Sequence, residues 1–214
     1  MVVFSDAFEA NNFTAWTSTV GSPSIQTTTV NSGVYAASCT AANKYMYKNL
    51  ASSPATSYYR TYVYASTIPT TNGQQICVMR LDNTSATVIW ELDYEKTFGG
   101  LVCWRLTRNF PGYVDNDISF TLVAGSWYCV EVKFVRAASV GAYQVWVNGI
   151  SIFSEANLDT SGAPSSAYRI KFGQISNNAI TTTIYGDDVV VDSNYIGPKV
   201  VRIASSRLLM GVGW

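Results

Sequence analysis

Apolar side chains in this chain recur at every second position, in short blocks, and almost nowhere at the three-to-four-residue spacing of a helix. A chain patterned this way buries one face of each strand, so it must fold as layered sheets. The blocks fall at 2–8, 24–30, 33–39, 44–48, 57–65, 74–81, 87–95, 101–107, 118–122, 127–136, 142–148, 150–154, 168–172 and 182–191. Turn signals separate them: Gly21-Ser-Pro23, Asn31-Ser-Gly33, Thr71-Asn-Gly73, Gly99-Gly100, Pro111-Gly112 and Ser161-Gly-Ala-Pro164. Asn148-Gly149, between Tyr143-Gln-Val-Trp-Val147 and Ile150-Ser-Ile-Phe153, predicts a two-residue type I′ hairpin. Roughly fourteen short strands without helices predict an all-β, two-sheet antiparallel sandwich or jelly roll, because so many strands rarely stay in one open sheet.

At 214 residues one domain suffices. Only 13% of the residues are charged while 48% are hydrophobic, so the chain can offset its ordering entropy and Ser, Thr, Asn, Gln and Tyr must build the wet surface. Fourteen basic residues cancel fourteen acidic ones, leaving no net field to gather nucleic acid or an anionic membrane. No run of about 18 apolar residues is present for membrane insertion. Met1-Val-Val-Phe-Ser-Asp6 lacks the basic start and apolar stretch of a signal peptide. The expectation is a mature or excised form, or a chain not exported by that route, working outside the cell or on a particle surface.

Histidine is absent. That excludes Ser-His-Asp and Cys-His triads and every His-ligated zinc site, leaving carboxylate, Tyr, Lys and Arg chemistry. Cys39, Cys77, Cys103 and Cys129 contain no C-x-x-C pair, so metal binding through sulfur is not expected. They read as ordinary strand cysteines or as one or two disulfides among three connectivities.

Alternation assigns side chains to faces. Tyr58, Arg60, Tyr62 and Tyr64 share one side of their strand, opposite Tyr59, Thr61 and Val63, and form a stripe suited to a polar groove or simply a sheet surface that favours Tyr. Val88, Trp90, Leu92 and Tyr94 share one side of another strand. Glu91, Asp93 and Glu95 align on its opposite side. A shuffled chain of this composition yields about 0.005 such E-x-D-x-E rows, so the row is either a catalytic set or a solvated polar face.

Glu91-Leu-Asp-Tyr-Glu95 resembles the catalytic strand of laminarinase and lichenase-type glycoside hydrolases. The resemblance implies Glu91 as nucleophile, Glu95 as general acid/base and Asp93 as the group that tunes them, in a retaining mechanism with carboxyls about 5–5.5 Å apart. The Trp-Pro segment usual upstream of that motif is replaced by Val88-Ile-Trp90. A wider resemblance is to concanavalin A-like and laminin-G-like jelly rolls. It is carried by Phe4-Ser-Asp-Ala-Phe-Glu9 with Phe13-Thr-Ala-Trp16, by Gly125-Ser-Trp-Tyr-Cys-Val-Glu-Val132 with Val145-Trp-Val-Asn-Gly149, and by Tyr185-Gly-Asp-Asp-Val-Val-Val191 with Tyr195-Ile-Gly-Pro198. Such domains include lectins, carbohydrate-binding modules, hydrolases, lyases and adhesins, so the fold does not name an activity. The resemblance also implies a structural Ca²⁺ held by Asp187 or Asp188, with Glu9 and the Gly33 carbonyl as partners; alternatively the two Asp residues cap a turn after Gly186. Gln75-Ile-Cys77 is faintly similar to the Gln-Ile-His of jelly-roll alginate lyases, without the His.

Residues 1–198 read as the sandwich, and 199–214, with three basic residues, no acid and an apolar finish, as a tail. The tail either pairs on its own domain or docks a neighbouring copy or larger assembly, since exposed Leu-Leu-Met and Trp would leave an apolar patch. The functional expectation is a non-catalytic module recognising a neutral polysaccharide or glycan through Tyr58, Arg60, Tyr62, Tyr64, Trp90 and Trp104. The alternatives are a retaining endo-β-glucanase using Glu91 and Glu95, and a structural component of a virion or surface assembly.

Overall fold

The structure is a computed structural model that describes residues 1–52, 54–165, 168–177 and 180–199. Two antiparallel sheets pack face to face as a β-sandwich, with no helix among the described residues. Sheet A runs in the order β13 (Ile150–Leu158), β12 (Gly141–Val147), β11 (Trp127–Val135), β6 (Thr56–Ala65), β15 (Ile184–Asp192), β4 (Ala36–Cys39), β3 (Ser24–Gln26), with β1 (Val2–Asp6) paired on β15. Sheet B runs β10 (Val114–Ser119), β9 (Val102–Arg108), β8 (Val88–Lys96), β7 (Gln75–Asn83), β14 (Tyr168–Asn177), β5 (Lys44–Asn49), β2 (Ser18–Val20).

The period-two faces resolve as the pattern dictates. Tyr59 and Val63 of β6 and Val130, Val132 and Phe134 of β11 point inward from sheet A, while Trp90, Leu92 and Tyr94 of β8 and Trp104 and Leu106 of β9 point inward from sheet B. Tyr59 meets Trp90 edge-on at 5.4 Å between centroids, and Trp104 meets Tyr128 at 6.2 Å, so aromatic pairs bridge the two layers. Val147 pairs with Ile150 across Asn148-Gly149, whose φ angles of 52° and 82° are those a type I′ turn needs. All four cysteines are free and buried, which removes the disulfide alternatives. The proposed docking residues 200–214 lie outside the described residues.

Two expectations shift. The ladder with β9 places β10 at Val114–Ser119, upstream of the 118–122 block, because Asp115 and Asp117 alternate outward while Ile118 enters the core. The three-residue β2 has too little pattern to show in the sequence, and only pairing with β5 defines it.

Candidate functional site

Both sheets carry a polar outer face, and the two faces differ in chemistry.

On sheet B the carboxylate row lies where alternation puts it, away from the core. Every member is tied into its neighbours. Register sets Arg80 of β7 opposite Glu91, and its Nη1 reaches Oε1 at 3.1 Å while its Nε holds Asp82 at 2.7 Å. Lys171 of β14 closes on the other Asp82 oxygen at 2.6 Å. Arg105 of β9 bridges Glu95 at 3.4 Å and Asp117 of β10 at 2.7 Å. Asp93 is wholly buried; Gln75 donates Nε2 to its Oδ2 at 2.9 Å, and Oδ1 has no hydrogen-bond partner among the described residues. Burial, and then the charge of Glu91, pushes the Asp93 carboxyl up to about 8. Burial also raises Glu91 and Glu95, against the pull of Arg80 and Arg105 respectively. Glu95 is 2% exposed, with Arg105 against one of its oxygens.

On sheet A the tyrosine stripe faces outward as expected, and pairing builds it into rows of rings. Tyr64 lies opposite Trp127 on one side and Tyr185 on the other. The centroids of these half-buried rings are 5.5 and 5.4 Å apart, at interplanar angles of 54° and 80°. At the other end Tyr58, Trp146 and Tyr195 form a second group, 5.1 to 6.3 Å between centroids, with Lys133 Nζ 5.8 Å over the Tyr58 ring. Between the groups the chain's own segment after β15 crosses the sheet. The N–H groups of Ile196 and Gly197 donate to Glu131 at 2.9 and 2.8 Å, and that of Lys199 donates to the Tyr62 hydroxyl at 2.7 Å.

Several expected site residues change role. Trp90 and Trp104 are completely buried between the sheets, so no ligand reaches either indole. Arg60 is 4% exposed and packs beneath the crossing segment, beside the Tyr62 ring, where it lines a cavity shared with Asp6, Glu9, Asp188 and Lys199 and not an open groove along the stripe. Trp127, Tyr185 and Tyr195 were not singled out in the sequence because register, which carries no local signal outside the hairpin, is what brings them beside Tyr58 and Tyr64.

The expected calcium residues gather around the bulge in the middle of β15. Asp187 accepts the N–H groups of Asn31 and Ser32 on Oδ2, at 3.2 and 2.9 Å, and that of Asp188 on Oδ1. Glu9 accepts the N–H groups of Val34 and Tyr35, and its carboxylate packs where a side chain on Gly33 would stand. Asp188 takes the Ser32 hydroxyl at 2.7 Å and pairs with the Lys199 ammonium. As arranged, these oxygens accept N–H groups, the Ser32 hydroxyl and one ammonium.

No family model matches the chain, and no curated protein matches it. Solved structures do. A protein described as cellulose-induced, Cip1, is 15% identical with a TM-score of 0.69, over 92% of this chain and 100% of that one. An endo-β-1,4-glucuronan lyase from the fungus Trichoderma reesei is 12% identical with a TM-score of 0.67, over 91% and 96%. The receptor-binding domain of botulinum neurotoxin type G is 12% identical with a TM-score of 0.63; the match covers 92% of this chain and 48% of that one, so this chain spans about half its length. At these identities the likeness establishes the jelly-roll sandwich and nothing finer.

Proposed function

We propose that this chain is a non-catalytic binding module that recognises a neutral polysaccharide, working outside the cell or on a particle surface. The observation that carries the reading is the row Tyr185, Tyr64 and Trp127, three half-buried rings on three adjacent strands of the outer face of sheet A. Strand spacing of about 4.8 Å places them as a continuous apolar ledge. Because the planes are turned against one another, the row offers faces and edges in alternation, which suits the apolar side of a pyranose unit stacked on one ring with a neighbour flanking it. The second group at Tyr58, Trp146 and Tyr195 lies six residues along β6 from Tyr64, about 20 Å away, so a polymer engages both more readily than a single sugar does.

The hydrolase reading draws on Glu91, Asp93 and Glu95 sharing one face. Against it stand the burial of Asp93 and Glu95 and the engagement of Glu91 and Glu95 by arginines. Retention on a panel of immobilised neutral glucans that Trp127→Ala weakens at least about tenfold supports the module. Sugar release that Glu91→Gln abolishes would establish the hydrolase instead.

Calcium remains part of the proposal in one form only: an ion that displaces the Lys199 ammonium from Asp188. A Ca²⁺-dependent rise in the melting midpoint that Asp188→Asn removes would support this, and an unchanged midpoint would end it.

A further inference from the structure

The bulge in β7 has a chemical consequence on the outer face of sheet B. Pairing of β7 with β8 slips one residue between Cys77 and Met79, and this sets Cys77 opposite Asp93. The Cys77 sulfur and one oxygen each from Glu91 and Asp93 lie within 4.8 Å of one another. Cys77 and Asp93 are completely buried, and among the described residues Oδ1 of Asp93 has no hydrogen-bond partner. A buried carboxylate oxygen without a donor is costly, and an acid crowded against a second acid and a thiol is more so. Such a group of donors is neutralised either by protons, which burial favours on Asp93 and Cys77, or by a cation that takes their place.

We propose that Cys77, Glu91 and Asp93 form a binding site for one Zn²⁺ ion. The donor set selects the metal. A thiolate is a poor ligand for Ca²⁺ or Mg²⁺, whereas Zn²⁺ takes sulfur and carboxylate together. Charge balances: thiolate and two carboxylates carry three negative charges, against Arg80 on Glu91 and the dication. Zinc bond lengths of about 2.3 Å to sulfur and 2.0–2.2 Å to oxygen give donor separations of roughly 3.3–3.6 Å, so from within 4.8 Å the three atoms close by at most about 1.5 Å. Gln75 bonded to the other Asp93 oxygen orients that carboxylate, the role of an outer-shell partner. Glu91 is the exposed member, its side chain 20% accessible, so the fourth position opens to solvent on that side and takes water or a ligand oxygen.

The test uses the whole chain, stripped with a chelator and dialysed against Zn²⁺, with metal per chain measured by mass spectrometry and Co²⁺ as a spectroscopic probe. The expected result is one Zn²⁺ per chain, a thiolate-to-cobalt charge-transfer band, and a zinc content that excess Ca²⁺ or Mg²⁺ does not lower. Cys77→Ser weakens zinc binding at least about tenfold and removes the band, while Cys103→Ser keeps both. Should Cys77→Ser fail to fold, Asp93→Asn carries the same affinity expectation, and the band in the wild-type chain decides without any variant. Wild-type protein that retains no zinc or shows no band, or a Cys77→Ser chain that binds as wild type does, overturns the site. Because the site lies on sheet B, either outcome leaves glycan binding on sheet A to be judged separately.

Discussion

Trp90 and Trp127 are the same residue type on neighbouring kinds of strand, and the structure gives them opposite fates. Trp90 is sealed against Tyr59 in the core, so Trp90→Ala should cost about 3–5 kcal/mol in denaturant unfolding without changing the glycan affinity of the folded fraction. Trp127→Ala should do the reverse, with affinity falling and unfolding shifting far less. Alternation alone separates the two faces of a strand, and it placed Glu91, Asp93, Glu95 and the tyrosine stripe correctly. It also set Trp90 beside Val88, Leu92 and Tyr94 on the apolar side of β8, so taking Trp90 as a ligand ring followed its residue type against the pattern, and the structure buries both Trp90 and Trp104. The cysteines make a second prediction at this scale. Burial pushes the Cys39 thiol up to about 12 and Cys103 to about 11, so at pH 8 only about one part in ten thousand to one in a thousand is thiolate. Labelling of the native chain with a neutral thiol reagent should therefore be negligible at pH 8, and all four cysteines should react once denaturant is added. Rapid native labelling of more than one cysteine would contradict the buried, unlinked state.

Elements were legible where pattern and turn chemistry agree. The hairpin joining β12 and β13 follows from Asn148-Gly149, because only residues tolerant of positive φ close a two-residue turn with the right twist. Gly149→Ala should cost about 1–2 kcal/mol, as its Cβ adopts φ +82° and crowds Pro198. Gly186 in β15 marks a different constraint. A Cβ there would run into the Phe172 ring across the core, so Gly186→Ala should lower stability by about 1–3 kcal/mol, read as a drop in melting midpoint. An unchanged midpoint would mean that the two sheets do not approach as described. Pairing register was the illegible part: the sequence gives strands without saying that Tyr185 lies beside Tyr64, or Cys77 beside Asp93. Both candidate sites are products of register, which is why each was seen only in part beforehand.

The whole molecule is a sandwich with two unlike exteriors. Sheet A presents rings bordered by Lys133 and by the crossing segment Tyr195 to Lys199, and sheet B presents alternating acids and bases held by Arg80, Arg105 and Lys171. The all-β class was readable from period and turn spacing, and two packed layers are among the few arrangements that bury so many one-sided strands. The division of labour between the faces was not, because composition is averaged over both. The most direct measurement is the affinity of the chain for soluble neutral β-glucans, with released reducing sugar followed in the same samples. Wild-type protein should bind and release nothing, and a Trp127→Ala, Trp146→Ala double variant that still melts cooperatively should lose binding. Undiminished binding by that double variant, or steady sugar release by the wild type, would contradict the assignment.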